Sequence, residues 1–136
     1  MKKIYYWCPF IGNIATIKAV VNSAHSLSKF SKNKLSPTIL NSCGEWDNFE
    51  KELIEKNINI LNLKSFFKLN TKINGFIASR LAYIKIFISS FFKLKKIILN
   101  DKPDFLIAHL ITSLPIFLFL IFKFDTKLII RISGKV

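Results

Sequence analysis

Short, continuous apolar runs alternate along this chain with longer stretches in which apolar residues recur every three or four positions. Ile4 to Cys8 is one such run, β-branched and aromatic and bounded by Pro9 and Gly12, and it predicts a buried strand. Beyond the loop, Ile17, Val20, Val21, Ala24, Leu27 and Phe30 keep helical spacing, which predicts an amphipathic helix over residues 15 to 30. A second strand follows at Thr38 to Asn41, ended by Gly44. The segment "EWDNFEKELIEKN" then reads as a helix with Phe49, Leu53 and Ile54 on one face and acids in its first turn, where the helix dipole favours them.

Residues 58 to 63, "INILNL", predict a third strand. From about Asn70 to Leu99, apolar residues at 73, 76, 77, 81, 84, 87, 88, 91 and 94 form a long helical stripe, with lysines gathered at its C-terminal end. Asn100 and Asp101 are turn formers and the residue before Pro103 is pushed out of helical geometry, so the helix stops there. Phe105 to Ala108 is the fourth strand, Leu110 to Phe124 a short helix, and "KLIIRIS" the fifth strand.

Strand and helix alternate throughout, and the strands are too apolar to leave one face in water. That combination predicts an α/β, doubly wound, mainly parallel sheet of about five strands, in the order 3-2-1-4-5. No linker, repeat or low-complexity tract divides residues 1 to 136, so they form one domain. The chain closes on "RISGKV" directly after a strand, with no helix to follow it. The expectation is either a domain cut from a longer protein, with roughly 150 to 200 further residues encoded in the same or an adjacent frame, or a truncated gene product.

Composition adjusts this picture in two places. A hydrophobic share of 51% with 14 Phe excludes a disordered chain, and 136 residues can bury a real core. The net charge of +13 points to an anionic partner, yet lysine supplies nearly all of it, and Arg80 and Arg131 are the two arginines. Base and phosphate readers rely on the arginine fork, so nucleic acid is not expected as a partner. A solvated lysine-rich surface, anionic lipid and nucleotide phosphate stay open. Cys8 and Cys43 lack metal or redox spacing and read as buried thiols of a reducing cytoplasm. The apolar run Leu110 to Phe122, thirteen residues interrupted by Pro115, is short of a bilayer span.

Candidate chemistry gathers at one edge. Open sheets of this kind bind ligands at the carboxyl ends of their strands, where the strand order reverses, here between the first and fourth strands. The loop "PFIGNIAT" follows the first and His109 follows the fourth. A histidine one residue past a buried strand is either a satisfied structural residue or a group that meets ligand. Imidazole near neutrality can donate, accept or orient an anion without a metal. Gly12 and Asn13 can form a turn presenting backbone N–H groups to an anion, or a plain turn; they do not make a dinucleotide fingerprint. Glu45 and Asp47 follow the second strand and read as helix caps or ligand contacts. His25, mid-helix, reads as a packing or surface residue. No nucleophile elbow, metal-ligand cluster or Walker loop is present.

The order of "IKAVVNSAHSLSKF" after a glycine loop, "ILNSCGEWDNF", "KPDFLIAH" and "LIIRISGKV" resembles the N-terminal domain of a GT-B fold glycosyltransferase of family 4, the glycosyl transferases group 1 class. The resemblance spans nearly the whole chain. It implies a Rossmann-like acceptor-side domain whose C-terminal donor-binding partner lies outside this chain. It also implies sugar transfer from a nucleotide-sugar donor to a glycan or lipid-linked acceptor, with no metal and no cofactor. By the family pattern His109 is the catalytic histidine facing the reacting sugar, Gly12 and Asn13 lie near the donor diphosphate, and Arg131, Ser133 and Gly134 line the ligand edge, which Glu45 joins by its place after the second strand. Asn13 stands where the family often has a second glycine. The alternative function is a non-catalytic module at the inner face of a membrane, binding anionic lipid through the lysine-rich helix.

Overall fold

The computed structural model describes residues 1–11, 15–32, 34–68 and 75–132. Its elements in chain order are β1 (Lys2–Trp7), α1 (Ala15–Phe30), β2 (Leu35–Asn41), a 3-10 turn (Asp47–Phe49) running into α2 (Glu50–Glu55), β3 (Asn59–Asn62), α3 (Phe76–Asp101), β4 (Phe105–His109), α4 (Ser113–Ile121) and β5 (Lys127–Arg131). The five strands make one sheet in the order β3-β2-β1-β4-β5, and every neighbouring pair is parallel. This is the doubly wound α/β architecture that the alternation of runs and stripes predicts, Rossmann-like in its strand order.

Strand pleat divides the core in two. Ile4, Tyr6 and Cys8 of the first strand region join Ile17, Val20, Val21 and Ala24 of α1 and Leu53 of α2 on one face. Tyr5 and Trp7 point the other way, onto Ile86, Leu94 and Ile98 of α3 and Leu114 and Leu118 of α4. Alternate side chains of one strand serve opposite layers because the strand period is two. Burial on both sides explains why β1 reads as an unbroken apolar run.

Local rules account for the ends of elements. β2 starts three residues earlier than expected and contains Pro37, which is tolerated because its ladder to β3 begins only at Thr38. In α4, Pro115 occupies the first turn, where backbone N–H groups have no partner inside the helix. α3 runs to Asp101, and Lys102 takes a left-handed conformation (φ 44°) before Pro103. Asp101 and Asp104 tie this end to β1. Tyr5 Oη donates to Asp101 Oδ2 at 2.8 Å, and the Lys3 N–H donates to Asp104 Oδ2 at 2.8 Å.

Two helix faces differ from the expectation. Ile54 is exposed, while Phe49 and Leu53 face the core, because α2 has only six residues and its single inward turn covers one i, i+4 pair. In α3 the buried row is Ala82, Ile86, Ser90, Leu94 and Ile98, whereas Ile77, Leu81, Ile84 and Ile88 of the expected stripe face solvent. The helix is apolar on two sides, so periodicity alone cannot say which side meets the sheet. Ser90, a polar residue at the centre of the true contact row, is satisfied by Ser42, their hydroxyl oxygens 2.5 Å apart. The beginning of the expected long helix, including Ile73, lies outside the described residues.

Candidate functional site

The carboxyl edge of the sheet is where β1 and β4 diverge, since α1 leaves β1 toward one layer and α4 leaves β4 toward the other. His109 is the last residue of β4 and is 2% exposed. Its ring lies on the α1 side, nearly parallel to that of Tyr6, with centroids 6.1 Å apart and 24° between the planes. Tyr6 is itself held by Ser23 of α1, hydroxyl to hydroxyl at 3.0 Å. Arg131 of β5 stands opposite His109 in the β4–β5 ladder.

Burial, and then the neighbouring Arg131 charge, lower the His109 pKa to about 4. The imidazole is therefore neutral at pH 7, with one nitrogen free to accept and the other to donate. Its Nε2 is buried and has no hydrogen-bond partner among the described residues. Buried polar atoms are almost always paired, so an orphan at a sheet's ligand edge is the kind of group a ligand satisfies.

The turn after His109 is over-determined. Leu110 takes a left-handed φ of 59°, a conformation a leucine adopts only when its surroundings impose it. Two bonds do so: the Thr112 N–H donates to the Leu110 carbonyl at 3.0 Å, and Trp7 Nε1 donates to the Ile111 carbonyl at 2.7 Å. β1 thereby fixes the position at which β4 presents its histidine.

After β2 the chain folds onto itself. Glu45 is buried, and its carboxylate accepts from the Ser42 N–H at 2.9 Å and the Cys43 N–H at 2.6 Å. It closes its own turn rather than capping the following helix. Burial outweighs these bonds and pushes its pKa up to about 7. The nearby Cys8 thiol is pushed up to about 12 by burial and by the Glu45 charge, so it is no nucleophile. Cys8 and Cys43 are both buried and unpaired with each other. His25 Nδ1 lies 3.2 Å from the Lys56 carbonyl, a structural bond between α1 and the end of α2.

Sequence reasoning missed the polar cavity beside this turn. Asn41, at the end of β2, accepts from the Gly44 and Trp46 N–H groups at 3.1 and 3.3 Å, and donates to Asp47 Oδ1 at 2.7 Å and Asn62 Oδ1 at 2.6 Å. It organises the wall of a cavity of about 260 Å³, whose lining includes Asp47, Asn62, Lys64, Ser65 and Lys68. The Ser65 hydroxyl is buried there with no partner among the described residues. A buried asparagine at a strand's carboxyl end was the available signal. The cavity lies at the β2–β3 end of the carboxyl edge, with β1 between β2 and the β4 strand that carries His109.

His109 and Arg131 are thus brought together, and Glu45 is spent within its own turn. Gly12, Asn13, Ser133 and Gly134 lie outside the described residues. Among the described residues, no group of three His, Cys, Asp or Glu could hold a metal ion. No protein-family model matches the chain, and no curated protein matches it.

Proposed function

We propose that this chain is the acceptor-side half of a GT-B type glycosyltransferase, moving a sugar from a nucleotide-sugar donor to a glycan or lipid-linked acceptor together with a donor-binding domain. One observation carries the reading: a buried, neutral imidazole at the point where the strand order reverses, its Nε2 without a partner among the described residues and an arginine beside it. Sugar transfer forms a bond from an acceptor oxygen to the anomeric carbon and breaks the bond from that carbon to the diphosphate. The departing diphosphate oxygen, on which negative charge gathers, takes up the hydroxyl proton. A neutral imidazole can hold a sugar hydroxyl or the departing oxygen in place, and the Arg131 guanidinium suits the anionic side of the reaction. The cavity of Asn62, Asp47, Ser65 and the two lysines offers the mixed donors and acceptors that a polyhydroxylated acceptor requires.

The experiment is transfer of a radiolabelled sugar from a panel of nucleotide sugars, with the donor-binding domain supplied. His109→Ala should lower turnover by roughly two to four orders of magnitude. If the histidine only packs, His109→Ala lowers the melting temperature and leaves the turnover of the folded fraction near wild type. Absence of transfer from every donor rejects the reading.

A further inference from the structure

The outer surface of α3 has no role in the site just described. Ile77, Leu81, Ile84, Ile88 and Phe92 succeed one another at three- and four-residue spacing and are 52 to 75% exposed. At 100° per residue they fall within an arc of about 80°, on the side away from Ile86 and Ser90. Phe66, 93% exposed, extends the patch from the segment after β3. With Phe67, Lys85, Ile88 and Phe92 it borders a shallow apolar groove of about 470 Å³. Contiguous apolar surface on this scale marks an interaction face.

Charge selects the occupant. Between Glu55 and Asp101 the sequence has nine lysines and arginines and no acid. Lys93 Nζ stands 4.6 Å from the centre of the Phe66 ring and donates to the Lys64 carbonyl, and Lys85 Nζ stands 5.2 Å from the centre of the Phe67 ring. Lysine ammonium groups thus stand beside the rings of the apolar patch, cations interleaved with aromatic surface. A second copy meeting this face about a two-fold axis would set cation against cation. Protein interfaces also deplete lysine at their centres. An anionic bilayer matches both features, since apolar side chains enter the acyl boundary while ammonium groups meet headgroup phosphates.

We propose that α3 docks the chain onto an anionic bilayer, lying in the plane of the interface. Phe66, Ile84, Ile88 and Phe92 insert, and Lys85, Lys93 and Lys96 hold the headgroups. The helix lies on the membrane and does not cross it: among the described residues no helix is long and apolar enough to span one. The inference is independent of the catalytic reading, which sugar transfer judges separately.

Co-sedimentation of the whole chain with vesicles tests it, comparing phosphatidylcholine alone with phosphatidylcholine containing phosphatidylglycerol. The chain should pellet with the anionic vesicles, less so as salt rises. Lys85→Gln with Lys96→Gln should weaken partitioning about thirtyfold. Ile88→Ser with Phe92→Ser should weaken it at least about tenfold, and because both side chains are exposed the circular dichroism spectrum should not change. Equal binding to both vesicle types, no binding, or variants that bind like wild type overturn the proposal. So does a dimer in sedimentation equilibrium that Ile88→Ser with Phe92→Ser disperses, because a second copy then covers this face.

Discussion

His109 and Arg131 face each other across the β4–β5 ladder, one buried and the other exposed, at the carboxyl edge of the sheet. The buried ring stays neutral because both its burial and the guanidinium resist a second positive charge. Glu45, at the same edge, departs in the opposite sense, because burial resists its negative charge.

These two groups make opposed contributions to stability against pH. The unfolded chain protonates His109 near 6.5 and the folded protein only near 4, so this contribution is present above 6.5 and is lost as pH falls toward 4. For Glu45 the unfolded value is 4.5 and the folded value about 7, so its contribution is present below 4.5 and is lost as pH rises toward 7. Between pH 4.5 and 6.5 the two cancel. Urea denaturation across pH should therefore find a flat region in the wild type. Glu45→Gln should uncover stability that falls with acid, and His109→Gln stability that falls with base, each by at most about 1.4 kcal/mol per pH unit. Parallel profiles for the three proteins would contradict the assignment.

Gly44 has φ 84°, and a Cβ there would meet Asp47 Oδ2 at 3.0 Å. Asp47 cannot move without disturbing its bond from Asn41. Gly44→Ala should cost about 1 to 2 kcal/mol in chemical denaturation. An alanine variant as stable as wild type would show that the turn tolerates a different path.

Trp7 carries the bond that holds the turn after His109. Trp7→Phe keeps an aromatic ring but leaves the Ile111 carbonyl without its buried donor, at a cost of about 2 kcal/mol. Hydrogen exchange at Leu110 to Thr112 should quicken beyond what the global loss of stability explains. Unchanged exchange there would mean that the Leu110 conformation is held by other contacts.

The strand order and the place of His109 were legible because each strand is a short apolar run between turn formers, and each helix obeys the alternation rule. What could not be read depends on contacts between distant residues. The inward face of α3 is set by Ala82 and Ser90, small residues that fit against the sheet, while more hydrophobic side chains point outward. The Asn41 network requires Asn62, twenty-one residues away, which β2–β3 pairing brings alongside. Glu45 reads from the sequence as a helix cap before a ligand contact, and only the backbone path of Ser42 and Cys43 turns its carboxylate inward.

The central claim is that the His109 imidazole is neutral and waits for a ligand at the reversal of strand order. Heteronuclear NMR of its ring nitrogens, followed from pH 4 to 8 in the chain alone and then with the donor-binding domain and nucleotide sugars supplied, tests it most directly. In the free chain the ring should keep neutral-form shifts down to about pH 5, since its pKa is about 4. A bound diphosphate should then raise that pKa and move the Nε2 signal at pH 7. A ring that titrates near 6.5 and is indifferent to every nucleotide sugar would contradict the account.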